Sequence, residues 1–177
     1  GNHDLDLLAL SEQLRPYAGV PGFVEQVLGK FPTLEDTLQP VIRSEDWPFV
    51  TGRQVFAAAR HGALLTHAGA HADLIPHGSC SADDAADHIN EQCERRRGAD
   101  ESDPYLGAGA CRGGPLERGG VVWQDFEMEF GDDCPFPQVV GHTVGPDARW
   151  NGRSVCLDAA QTCFGLLHTD GRVEVIQ

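Results

Sequence analysis

Four residues of this chain are of types that hold metal ions or move protons, and each sits among small neighbours. They are Asn2 and His3 in Gly1-Asn2-His3-Asp4, His67 in Thr66-His67-Ala68-Gly69, and His142 in Gly141-His142-Thr143. The Asn2 carboxamide can offer an oxygen, and His67 and His142 can offer imidazole nitrogens; divalent ions accept both. His3 suits a different task, because an imidazole titrates near neutrality and can deliver or take up a proton. Arg112, in Cys111-Arg112-Gly113-Gly114, adds a guanidinium that can grip phosphate through two N–H groups, with glycines that let backbone N–H groups approach. Taken singly, each has a plainer reading: a solvated N-terminal histidine, a core or loop histidine, a surface arginine. Taken together and in order, they ask for a metal- and phosphate-handling site.

The three histidine blocks, in this order, resemble the second half of the signature of calcineurin-like metallophosphoesterases. They are most similar to the bacterial branch that includes serine/threonine protein phosphatases and diadenosine tetraphosphatase. The resemblance spans nearly the whole chain, although only these short blocks are specific. It implies that Asn2, His67 and His142 bind the second of two metal ions (Mn, Fe or Zn). It also implies that His3 stabilises the transition state or protonates the leaving alcohol. The reaction implied is hydrolysis of a phosphate ester by a metal-activated hydroxide, with a phosphoprotein or a nucleotide such as a dinucleoside polyphosphate as substrate. Arg112 and the following Gly119-Gly120-Val121-Val122-Trp123 are similar to a segment of that branch, with Arg112 as substrate contact.

The family's earlier motifs, Asp-x-His and Gly-Asp-x-x-Asp-Arg, have no match in this sequence. They would supply the first metal's ligands, the bridging carboxylate and a phosphate-binding arginine. Three neutral ligands hold a divalent ion poorly. The isolated chain is therefore expected to bind at most one ion, weakly, and to be catalytically weak or inactive. A non-catalytic phosphate-binding or protein-interaction module is the alternative. The fold implied is α/β, a layered α/β/β/α sandwich over a single domain, 1–177, lacking its N-terminal strands. The chain opens with Gly1 and its only methionine is Met128, so an upstream segment is expected to be missing.

The bulk properties bound these readings. The length of 177 residues suits one domain with a sizeable core. A formal net charge of −14 disfavours nucleic-acid polymers and anionic membranes as partners, but a local metal charge can still attract phosphate. Six cysteines without CxxC spacing read as reduced thiols and suggest the cytoplasm. There is no membrane-length apolar run, P-loop, GxSxG elbow or HExxH helix. Cys111 and Arg118 are too far apart for a cysteine-based phosphatase.

The elements that must position the site follow from apolar spacing. Helices are predicted over 5–14, 23–28, 33–43 and 51–60. The run Ala63-Leu64-Leu65-Thr66 stops sharply at His67, as a buried strand does when it ends in a functional loop. The clearest helix covers 81–97, with Ser81 and Asp84 as a capping box and three arginines at its C-terminal end. A loop with seven glycines over 98–120 is expected on the surface. Strands are predicted over 121–126, 138–140, 154–157, 162–167 and 172–176, the last two joined by Thr169-Asp170-Gly171. His71 reads as structural or exposed. His61, His77, His88 and His168 read as surface or turn residues.

Overall fold

The computed structural model describes residues 55–78 and 81–177. The helices expected over 5–14, 23–28 and 33–43, together with Asn2 and His3, lie outside the described residues. The predicted domain, 1–177, likewise extends beyond them. Among the described residues the fold is mixed α/β: a mixed five-stranded sheet, one α-helix and a separate two-stranded hairpin.

The sheet runs in the order β1-β2-β3-β5-β4. Strands β1 (Ala57–Arg60) and β2 (Ala63–Thr66) are antiparallel, β2 and β3 (Gln138–Val140) parallel, and β3 and β5 (Ser154–Cys156) parallel. Strand β4 (Arg149–Asn151) closes the far edge antiparallel to β5. The three parallel strands are short and apolar, as strands covered on both faces are. In β5 all three residues are buried, and Leu64 of β2 is fully so.

Helix α1 (Ala82–Arg95) forms as its sequence predicts. Ser81 Oγ accepts from the Asp84 N–H and the Asp84 carboxylate accepts from the Ser81 N–H, completing the capping box. Ala82, Ala85, Ala86, Ile89 and Cys93 recur at helical spacing and are buried, and the helix packs against β1 and β2. The fully buried Ile89 alone contributes about 1.5–3 kcal/mol. Around the other end of the sheet, Phe126 and Phe130 cluster with Val140 and Cys156.

Several expectations are corrected. Residues 57–60 are strand rather than the C-terminal end of a helix over 51–60. Their alanines favour a helix locally, but a two-residue turn folds the chain back onto β2. His61 and Gly62 both take positive φ (51° and 76°), which suits the twist of a tight hairpin. Asn90 on α1 then holds the strand start. Its side chain accepts from Phe56 and Ala57 N–H and donates to Ala57 O.

Residues 121–126 are wound into turns and are not a strand. Trp123 and Gln124 N–H both bond Gly120 O, while Val121 exchanges backbone bonds with Tyr105 and Ala68. The run is apolar because Val121 and Val122 are buried, not because it pairs in a sheet. The loop over 98–120 is not wholly superficial either: Tyr105, Gly107, Gly109, Gly119 and Gly120 are buried in it. Strand β4 has no counterpart among the predicted strands; Gly152 at positive φ makes its tight turn into β5.

The remaining strands agree with prediction within two residues. β6 (Phe164–Leu167) and β7 (Val173–Ile176) pair through the expected turn, closed by Gly171 N–H to His168 O. No helix among the described residues is long and apolar enough to cross a membrane.

Candidate functional site

His67 directly follows β2, and His142 comes two residues after β3. These strands are parallel neighbours, so both histidines leave the sheet at the same edge, where ligand sites of parallel sheets form. Gly141 N–H donates to His67 O at 2.8 Å and stitches the two loops together. His142 itself takes φ 68°, unusual for a residue with a side chain. A bond from Thr143 N–H to Gly141 O closes a tight turn around it.

The result is a close pair. His67 Nε2 and His142 Nδ1, from residues 75 apart in sequence, stand 3.1 Å apart. The rings meet edge to face, with centroids 4.9 Å apart. Half-buried Trp123 packs edge-on against His142, at 5.8 Å between centroids. Two imidazole nitrogens bound to one ion at ordinary bond lengths lie about 3.0–3.4 Å apart, so this spacing fits shared ligation. It equally fits one ring donating to the other.

The loop after His142 is gripped from behind. Cys156 Sγ donates to Gly141 O at 3.3 Å, and the Arg149 Nη2 group donates to Thr143 O and Asp158 O. Asp158, at the end of the third parallel strand, also accepts from Gly145 N–H. Neither Arg149 nor Asp158 stands out in the sequence. Both lie in segments without a motif, and only the strand order brings them to this edge.

Arg112 belongs to the same neighbourhood. Its Nη2 donates to Asp125 Oδ2 at 2.6 Å and lies 3.4 Å from Thr143 Oγ1, the residue after His142. Asp125 is nearly buried, at 8% exposure, and its other oxygen accepts from Glu127 and Met128 N–H. Burial raises the Asp125 pKa, but those two N–H groups and Arg112 outweigh it and hold the carboxyl below its usual range.

Glu129, four residues further along, has a similar role. It accepts from Cys111, Gly119 and Asp125 N–H, which together with the Cys111 thiol lower its pKa against the effect of burial. Both carboxylates escape a reading of the sequence, since an acidic residue in a run of turns carries no spacing signal.

Among the described residues, no group of three or more His, Cys, Asp or Glu side chains is placed to hold a metal ion. His67 and His142 therefore provide two donors, and any ion there needs others. Asn2, the third predicted ligand, and His3, the predicted acid, lie outside the described residues. His71, close in sequence, is buried and structural; its Nδ1 lies 3.6 Å from Asp73. Exposed His61 and His77 are surface residues, while His88 bonds the Tyr105 hydroxyl at 3.0 Å and His168 pairs with Glu174. Cys93, Cys111, Cys156 and Cys163 carry free thiols. Compared with protein-family models, with curated proteins and with solved structures, the chain matches none.

Proposed function

We propose that this chain belongs to a metal-dependent phosphoesterase that hydrolyses the phosphate ester of a phosphoserine or phosphothreonine protein, or of a nucleotide polyphosphate. The observation that carries the reading is the 3.1 Å approach of His67 and His142 at the ends of adjacent parallel strands. The layered α/β/β/α sandwich and the cytoplasmic location belong to the same proposal.

In this reading His67 and His142 would supply two donors to an ion, and the resemblance assigns Asn2 as a further ligand. A divalent ion there supplies charge neutralisation for the phosphate and a nucleophile at neutral pH. Arg112 grips a phosphate oxygen, and Trp123 keeps the His142 ring in one orientation. His3 provides the proton for the leaving alcohol. Tyr105 is not available as a platform for a nucleotide base, because it is buried and its hydroxyl faces His88.

The second reading, a non-catalytic phosphate-binding module, draws on the absence of a third described donor beside the histidine pair. Manganese titration of the chain, with hydrolysis of a phosphoserine peptide followed in parallel, separates the two. The enzyme reading expects weak binding of one ion, lost in both His67→Ala and His142→Ala, and at most a trace of phosphate release, since the motifs for the first metal have no match in this sequence. Manganese affinity indifferent to both substitutions would overturn it. Phosphate binding without metal dependence would favour the module.

A further inference from the structure

We infer that Asp125 is a positioning residue for phosphate: it holds the Arg112 guanidinium beside the His142 loop before any ligand arrives. The inference rests on the phosphoesterase reading, in which Arg112 meets the phosphate. Four observations carry it.

The first is that Asp125 cannot swing. It is nearly buried, and one oxygen accepts two backbone N–H groups, from Glu127 and Met128, at 3.0 Å each. Its second oxygen is therefore fixed in space, and Arg112 Nη2 comes to it at 2.6 Å. The second is that the same Nη2 reaches Thr143 Oγ1, which is itself anchored by the Phe126 N–H at 2.9 Å. Two fixed acceptors on different loops define a direction for the guanidinium, which a single ion pair does not.

The third is that the loop bearing Arg112 is tied down at its base. Glu129 binds the N–H groups of Cys111, Gly119 and Asp125, and a side chain on Gly109 would overlap the Glu129 carboxylate. The fourth is what remains unused. Asp125 and Thr143 engage only Nη2, so among the described residues Nη1 and Nε of Arg112 have no acceptor. A phosphate oxygen can still be met by Nη1 or by Nε–H, each on its own flank of the guanidinium.

An unrestrained arginine loses much rotamer freedom on binding, and prior orientation removes some of that cost. The expected gain is about five- to tenfold in phosphate affinity. Electrostatics alone makes the opposite forecast, because deleting a carboxylate beside Arg112 should strengthen anion binding. The two accounts therefore differ in sign.

The experiment uses the 177-residue chain as wild type, Asp125→Asn, Arg112→Ala, Arg112→Lys and the Asp125→Asn/Arg112→Ala double variant. Inorganic phosphate is titrated by calorimetry with manganese present, and the Arg112 Nε–H signal is followed by nitrogen-15 NMR in metal-free samples. Asparagine keeps an oxygen for the Glu127 and Met128 N–H groups, so the turn is retained. The expected result is a five- to tenfold weaker phosphate affinity in Asp125→Asn, with the double variant no weaker than Arg112→Ala. The Arg112 Nε–H signal should be sharp in wild type and broadened in Asp125→Asn.

An unaltered signal in Asp125→Asn overturns the positioning role and leaves the phosphoesterase reading standing. So does equal or tighter phosphate binding, or additive losses in the double variant. A wild-type chain with bound manganese, an ordered Arg112 and no phosphate affinity sinks the functional reading and this inference with it. Should Asp125→Asn fail to fold, Arg112→Lys decides: it keeps the charge but not the planar guanidinium that Asp125 and Thr143 orient, and wild-type phosphate affinity in it would refute the inference.

Discussion

Replacing Gly69 with alanine should be among the most damaging small changes in the molecule. Gly69 lies two residues after His67 and has φ 127°, a conformation side-chain-bearing residues rarely adopt. A methyl group there would lie 2.6 Å from Gln124 Oε1 and 2.7 Å from two ring carbons of Phe130. Neither neighbour can retreat readily. Gln124 is fully buried, and Phe130 packs on Phe126 at 4.7 Å between centroids.

Backbone strain of about 1–2 kcal/mol and overpacking of about 1–3 kcal/mol together give about 2–5 kcal/mol. Against a typical stability of about 5–15 kcal/mol this is a large fraction. Gly62 is the control: its φ is 76° and nothing lies within 4 Å of its would-be methyl, so Gly62→Ala incurs strain alone. Urea denaturation of both variants and wild type measures the difference directly. Gly69→Ala should have the lower midpoint by at least the overpacking term, and the His67–His142 approach should loosen with it. Equal midpoints for the two variants would refute the packing argument.

Other outcomes are expected from the same contacts. Asn90→Ala removes three hydrogen bonds at the start of β1 and should cost about 1–3 kcal/mol, read by thermal or urea unfolding, with faster amide exchange in β1 than in β5. Ser81→Ala breaks the capping box and should cost about 1 kcal/mol, with little effect on the histidine pair. Stability should also decline toward acid in two stages. Burial foremost, then Arg118, lowers the His71 pKa from 6.5, while Asp73 and Asp133 oppose the shift. Above pH 6.5 this histidine is neutral whether folded or not. Below it the unfolded chain takes up the proton first, so stability falls until the folded-state pKa is reached. His71→Gln should erase that stage in a pH series of urea midpoints. The second stage belongs to Asp125, Glu129 and Asp133, whose folded pKa values are depressed. Their contribution is complete above the ordinary carboxylate values of 3.8 to 4.5 and is lost as pH falls through the folded ones.

The sequence reveals the features whose cause is local. Ser81 and Asp84 cap a helix by their own hydrogen bonds, and Thr169-Asp170-Gly171 turns a hairpin by its own backbone preferences. Ala63 to Thr66 ends where its apolar run ends, which places His67 correctly in a loop. What is not legible depends on distant partners. The alanines of 57–60 become strand because β2 and Asn90 satisfy their backbone groups. Val121 and Val122 are apolar for the sake of a buried turn, and no pattern of alternation distinguishes that from a strand. Asp125 and Glu129 become visible only once the loops they tie have folded around them.

Glu129 gathers the N–H groups of Cys111, Gly119 and Asp125 at one carboxylate, while β2, β3, Cys156 and Arg149 hold the loops of the histidine pair. The two sets of fastenings meet where Ala68 N–H donates to Val121 O, Phe126 N–H donates to Thr143 Oγ1 and Trp123 packs on His142. Exposed residues of this segment such as Pro115 and Glu117 can vary in evolution or by design without disturbing the imidazoles, whereas Trp123, which packs on His142, cannot. Variation at those exposed positions can therefore accumulate while the histidine pair at the sheet edge stays the same.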